Sequence, residues 1–245
     1  MLRWFIINVL KFINHLSTKL ATGLGSSYQI IIPYATYAPW LEDKAFLEVY
    51  DLVKSRSLVN MYQCWELWSL IEETRKLDGD VLEVGVYRGA TSAIMGAKIK
   101  LLEDKCTIFC CDTVAGVVKA SEKDNSYIGG EHKDTSVNLV RDLLINRLGI
   151  ENVVILKGVF PEETASSISN NTFRFCHIDV DTYQSAKDVL DWVWPKLSVG
   201  GMMVFNDYGY PKTKGVTRLV EESKQENSAV VMHNLNGNGI IVKIK

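Results

Sequence analysis

The sequence predicts an α/β fold: a doubly wound, mostly parallel, seven-stranded sheet that ends in an antiparallel hairpin. Three observations predict it. From Asp80 onward, short apolar runs alternate with longer amphipathic ones. The short runs read as nearly continuous Val, Ile, Phe and Cys, the pattern of strands buried on both faces and joined by parallel crossovers. The chain then closes with "AVVMHNLNGNGIIVKIK", two β-rich runs around Asn236-Gly237-Asn238-Gly239, a strong hairpin signal. At 245 residues and 47% hydrophobic content the chain can bury one sizeable core.

Taken in order, "MLRWFIINVLKFINHLSTKL" places Trp4, Phe5, Ile7, Leu10, Ile13 and Leu16 at roughly helical spacing, interrupted by Arg3, Asn8 and Lys11. It is too short and too interrupted to span a bilayer. Two readings stay open: a helix packed on its own domain or in a dimer interface, or a membrane-surface anchor. Gly23, Gly25, Pro33 and Pro39 punctuate the segment that follows, so residues 1–33 are set apart as an amphipathic helix with an irregular extension. Residues 34–245 form the main domain. Helical periodicity over 41–56 and 61–76, with Leu67, Leu70 and Ile71 on one face, makes 34–78 a helical lid, and Tyr34 and Tyr37 are placed to fold over a bound molecule. Trp65, Trp68, Trp192 and Trp194 recur at helical spacing and are expected in core or interface. The strand runs are "VLEVGV", "CTIFCCD", "NVVILKG", "FRFCHIDV", "GMMVFND" and the two of the hairpin. The helices between them are "TSAIMGAKIKLL", "SVNLVRDLLINRLG" and "SAKDVLDWVWPKL".

Composition excludes some partners. Lys and Arg total 27 against 29 Asp and Glu with no long basic block, so nucleic acid is not expected and small molecules are. Five cysteines lack CxxC spacing and mostly sit in apolar runs as small hydrophobes, which favours a reducing, cytoplasmic setting. The aromatic helices ahead of the sheet suggest a homo-oligomer.

Two stretches carry chemistry. In "LEVGVYRGATS" a strand ends at Glu83-Val84-Gly85, turns through Tyr87, Arg88 and Gly89, and enters a helix at Thr91 and Ser92. The glycines fall as G-x-x-x-G rather than the dinucleotide G-x-G-x-x-G. With Glu83 two residues before the first, the pattern resembles the S-adenosylmethionine loop of class I methyltransferases, where a carboxylate suits an amino acid's ammonium. Asp112, at the tip of the next strand and followed by Thr113, is placed to accept ribose hydroxyls, although an Asp there can also simply cap a turn. In "HIDVDTYQSA", Asp179 and Asp181 end one strand; Asn206 and Asp207 end the run expected beside it. Four oxygen-bearing side chains thus converge on the carboxyl edge of the sheet, and hard oxygens so gathered suit Mg²⁺. The bland alternative is that Asp181 or Thr182 caps the next helix and Asp207 starts a turn.

Together with "YAPWLEDKAF", "LVNMYQCWELW", "CDTVAG", "KGVFPEE", "KDVLDWVWPKLSVGG" and "NDYG", these stretches resemble the macrocin and novobiocin-pathway (TylF-like) sugar O-methyltransferases, a metal-dependent class I family with a Rossmann-like sheet. The resemblance runs from about residue 34 to the end. It implies methyl transfer from S-adenosylmethionine to a hydroxyl of a sugar, polyol or glycosylated small molecule. Carried over residue by residue, it implies Asp179, Asn206 and Asp207 as Mg²⁺ ligands and Asp181 as general base. The cofactor would lie against Glu83, Gly85, Tyr87, Arg88, Gly89, Thr91, Ser92, Asp112, Thr113, Gly158 and Asp179. The family has two aspartates before the tyrosine where this chain has Asn206-Asp207-Tyr208, one negative charge fewer, which weakens Mg²⁺ binding or shifts preference to another divalent cation. His132 and Asp134 fall in a loop beside the cleft, whereas His177 is expected to be packed. Two other classes remain open: a nucleotide-sugar glycosyltransferase using the D-x-D, and a non-catalytic or metal-independent cofactor-binding relative.

Overall fold

In a computed structural model of the chain, residues 2–20 and 37–245 are described. They belong to two compact units, Met1–Pro39 and Trp40–Lys245. Within the first, α1 (Leu2–Leu20) is the helix expected from its periodicity. Tyr34 lies outside the described residues, and Tyr37 is largely solvent-exposed.

The second unit holds a seven-stranded sheet in the order β3-β2-β1-β4-β5-β7-β6. The strands are β1 (Asp80–Val84), β2 (Ile108–Asp112), β3 (Val153–Lys157), β4 (Phe173–Ile178), β5 (Leu197–Phe205), β6 (Ala229–His233) and β7 (Gly239–Lys243). β1 to β5 pair in parallel, and the hairpin adds β7 antiparallel to both β5 and β6. Side chains alternate across the sheet and divide the interior in two. Val81, Ile108, Cys110, Phe175 and Ile240 face one layer; Leu82, Phe109, Cys111, Cys176 and Ile241 face the other. The first layer is completed by α2 (Lys44–Val53), α3 (Met61–Thr74), α4 (Ala90–Leu101) and α5 (Val137–Arg141); the second by α6 (Tyr183–Val193) and α7 (Lys214–Ser223).

Two elements depart from the sequence reading. The helices α2 and α3, read from the sequence as part of a helical lid over 34–78, pack into the first layer: Phe46, Leu67, Trp68 and Ile71 are fully buried there, and α3 packs on α4. The apolar face read as a cover is wide enough to be core. The helix expected over "SVNLVRDLLINRLG" runs as α5 for only five residues and continues as a π-helical stretch, Asp142–Arg147.

Helix starts follow local chemistry. Asp43 caps α2 by accepting from Phe46 N at 2.9 Å and also takes the Trp68 indole N–H at 3.0 Å, tying α2 to α3. Asn60 opens α3 with a reciprocal capping box: its side chain accepts from Gln63 N at 3.0 Å, and Gln63 Oε1 accepts from Asn60 N at 3.3 Å. That box fixes how Gln63 points, which matters at the sheet edge.

Candidate functional site

The parallel strands all end on one side of the sheet, and the residues singled out in the sequence gather there. Gly85, Asp112, Asp179 and Asn206 follow or end four neighbouring strands, and their backbones interlock: Asp179 N donates to Val84 O, Asn206 N to Ile178 O and Gly158 N to Asp112 O, each at 2.9 Å. Gly85 has φ +90°, and a Cβ there would lie 1.8 Å from the Asp179 carbonyl oxygen. Its glycine is thus required by the neighbouring strand end, not only by a ligand.

The loop between β1 and α4 is built from beneath. Asp112 accepts from Val86 N at 2.7 Å and Tyr87 N at 2.8 Å through one oxygen, and from Val114 N at 2.6 Å through the other. Gly89 is the N-cap of α4 at φ +82° and supplies no side-chain cap to the first N–H groups of that helix. Thr113 forms the turn after β2, donating to Gly116 O at 2.8 Å. Gly158, at φ +146°, sits at the end of β3.

Glu83 is the acidic residue expected beside the cofactor's ammonium. It is fully buried under the loop, with one oxygen 2.7 Å from His177 Nδ1 and the other accepting from Ser92 Oγ. Each oxygen takes one partner inside the protein, beneath the loop expected to hold the cofactor; Ser92 and Thr91 are likewise buried. His177 is packed, as expected. Burial opposes its charge, but hydrogen bonding to Glu83 prevails and raises its pKa. Tyr87 and Arg88 engage the 113–136 loop: Tyr87 Oη donates to Asp134 Oδ1 at 2.9 Å, Arg88 Nε donates to Asp134 O at 3.1 Å, and the Arg88 guanidinium pairs with the Asp134 carboxylate.

That loop brings Tyr127, which the sequence reading did not single out. Its hydroxyl hydrogen-bonds the Asp181 carboxylate, and its ring lies 6.0 Å from that of His132, which is 5.8 Å from Tyr87. Asp181 (φ +64°), Asp207 (φ +68°), His132 (φ +61°) and the β-branched Val114 (φ +48°) all hold left-handed backbone around this edge. Strain of this kind persists where the surroundings impose it, and it concentrates at working sites.

Three carboxyls meet here. Burial, then the charge of Asp179, pushes Asp181 up to about 6. Burial and the charges of Asp179 and Asp181 push Asp207 well up, and burial raises Asp179. The buried Oδ2 of Asp207 has no hydrogen-bond donor among the described groups.

The expected Mg²⁺ set does not fit. Asn206 turns its amide nitrogen, not its oxygen, to the cluster, donating to Asp179 Oδ1 at 3.0 Å while its oxygen accepts from Gln63 Nε2 at 2.7 Å. Among the described residues, no three His, Cys, Asp or Glu side chains are arranged to hold a metal ion. Nothing in the sequence showed that Gln63, 143 residues away, would set that amide, although its capping box is legible as N-x-x-Q before an apolar run.

Comparison with known proteins places these features. The family model of macrocin O-methyltransferase (TylF) matches residues 47–239. The demethyldecarbamoylnovobiocin O-methyltransferase of Streptomyces niveus is 27% identical over 173 residues, 65% of this chain and 62% of that one. The mycinamicin III 3''-O-methyltransferase of Micromonospora griseorubida is 25% identical over 66% of each chain. The chain thus spans somewhat under two thirds of these relatives' lengths. Among solved structures, the O-methyltransferase NovP aligns with TM-score 0.65 at 22% identity, covering 77% of this chain and 82% of that one. An O-methyltransferase from Bacillus cereus, solved in complex with SAH, aligns with TM-score 0.55 at 17% identity over 94% and 99%. The structural likenesses establish a shared fold.

Proposed function

The chain belongs to the macrocin O-methyltransferase family, and from that premise we propose that it transfers a methyl group from S-adenosylmethionine to a hydroxyl of a sugar or glycosylated small molecule. One observation carries the reading: a partly buried carboxylate, Asp181, stands at the cofactor edge of the sheet with its pKa raised to about 6, near the range in which a general base works.

The cofactor supplies an electrophilic methyl on a sulfonium. The uncapped N-terminus of α4, the turn at Gly85 to Gly89, the remaining lone pair of Asp112, and Thr113 and Gly158 beside it would hold it. The acceptor hydroxyl would sit against Asp181, which takes its proton as the oxygen bonds to the methyl and the carbon–sulfur bond breaks. S-adenosylhomocysteine and a protonated Asp181 result. Holding oxygen and methyl in line is the larger contribution, because such a displacement needs little covalent help. The finer expectation of a divalent cation on Asp179, Asn206 and Asp207 conflicts with the Asn206 orientation, and no step here uses one.

In calorimetry the chain should bind S-adenosylhomocysteine, and across a panel of sugar and glycoside acceptors it should release it. Asp181→Asn should lower turnover by roughly 10²-fold or more while leaving S-adenosylhomocysteine affinity unchanged. Turnover within a few-fold of wild type would remove Asp181 from the chemistry.

A further inference from the structure

We infer that Asn206 stands in for the expected cation: Gln63 holds its amide so that an N–H, rather than a metal, supports Asp179, and methyl transfer by this chain runs without a divalent ion. This rests on the methyltransferase reading above.

The inference follows from donor and acceptor accounting around buried amides. An amide presents one acceptor oxygen and one donor nitrogen, and at a buried site each must meet its complement. Gln63, Asn206 and Asn238 are at most 8% exposed, so water does not relieve a mismatch. Were Asn206 reversed, its oxygen would face the Asp179 carboxylate and its nitrogen would face Gln63 Nε2, turning two hydrogen bonds into two repulsions. Gln63 cannot turn to relieve them. Its oxygen accepts from Asn60 N at 3.3 Å and Asn60 Nδ2 at 2.7 Å, and its nitrogen also donates to Asn238 Oδ1 at 3.1 Å.

The amides beyond are pinned as well. Asn60 Oδ1 accepts from Tyr62 N at 2.9 Å and Gln63 N at 3.0 Å at the start of α3. Asn238 Nδ2 donates to Glu66 Oε2 at 2.6 Å, an oxygen that also accepts from Asn236 Nδ2 at 3.1 Å. Helix cap, helix side chain, hairpin turn and strand end therefore agree on one orientation. A cation approaching Asp179 from this side meets N–H hydrogens.

The same chain of bonds says what one substitution would do. In N206D, one carboxylate oxygen still accepts from Gln63 Nε2, but the other faces Asp179, so two acceptors and Asp207 converge with nothing between them. Charge count sets affinity in oxygen sites, so this variant should gain a cation site. Asn206 is thus a positioning residue, and its role is read by metal binding rather than by activity alone.

The test uses the full chain stripped with a chelator and titrated with Mn²⁺, followed by electron paramagnetic resonance and calorimetry. Wild type should show no single tight site, and N206D should bind one Mn²⁺ per chain at least about tenfold more tightly. Wild-type turnover should change less than about twofold on adding chelator, whereas N206D should become dependent on Mn²⁺. One Mn²⁺ per wild-type chain as tight as in N206D, or a tenfold loss of wild-type turnover under chelation, overturns the inference. If N206D folds only with Mn²⁺ present, that supports it, and the wild-type titration decides in either case. S-adenosylhomocysteine calorimetry in chelator runs alongside: loss of cofactor binding there would sink the methyltransferase reading, while the Mn²⁺ result judges Asn206 separately.

Discussion

Asp181, the base of the proposed reaction, carries a charge that the fold disfavours. Burial and the Asp179 charge raise it to about 6, so the folded chain holds that proton more tightly than the unfolded chain does. A base must be ionised to accept a proton. The methyl-transfer rate should therefore climb as pH rises through about 6 and level off above, an acid limb read from a pH–rate profile. The stability sign is opposite. With the folded value above the unfolded one, stability falls as pH rises from about 4 to about 6, because the proton leaves the unfolded chain first. Asp181→Asn should thus unfold at a higher temperature than wild type at pH 7, by on the order of 2 kcal/mol, with the gap closing below pH 4. The two aspartates of "HIDVDTYQSA" were legible because motif and strand end coincide. The contact of Glu83 with His177 was not legible, since the two lie 94 residues apart and only the β1–β4 register sets them side by side.

At the scale of elements, the start of α3 does two jobs. Its capping box satisfies helix N–H groups, and the same Gln63 reaches Asn206 and Asn238. Asn60→Ala should cost about 1 kcal/mol, as loss of an N-cap does, seen as a lower denaturant midpoint at unchanged slope. It should also free Gln63 to turn, so Mn²⁺ affinity should rise in this variant although Asn60 touches none of the carboxylates. Trp68→Ala should cost more, about 3–5 kcal/mol, because loss of a fully buried indole leaves a cavity and removes the donor to Asp43 Oδ2. Helices 44–53 and 61–74 were legible as helices from their periodicity. Their place as core was not, because one apolar face looks the same on a lid and on a layer.

At the scale of the whole molecule, all seven strands and both core layers of the described residues fall within residues 40–245. The sheet order was legible in outline, since nearly continuous apolar strands leave parallel crossovers as the economical arrangement and the Asn-Gly repeat marks the hairpin. What α1 meets was not legible, and its exposure narrows the choice. Phe5 (61%), Phe12 (65%) and Ile13 (46%) are exposed, as are Val9 and Leu16, and at 100° per residue they form one apolar face. The helix carries Arg3, Lys11 and Lys19 and no acidic residue, so a second copy of it brings like charge whereas an anionic lipid surface brings opposite charge. No helix among the described residues is long and apolar enough to cross a membrane. The full chain should therefore float with vesicles containing anionic lipid, more weakly with neutral ones and less at high salt, and Phe5→Glu with Phe12→Glu should abolish flotation while S-adenosylhomocysteine affinity stays unchanged. If the full chain stays off the vesicles yet sediments as an oligomer that the double variant does not form, the face belongs between copies of the chain instead.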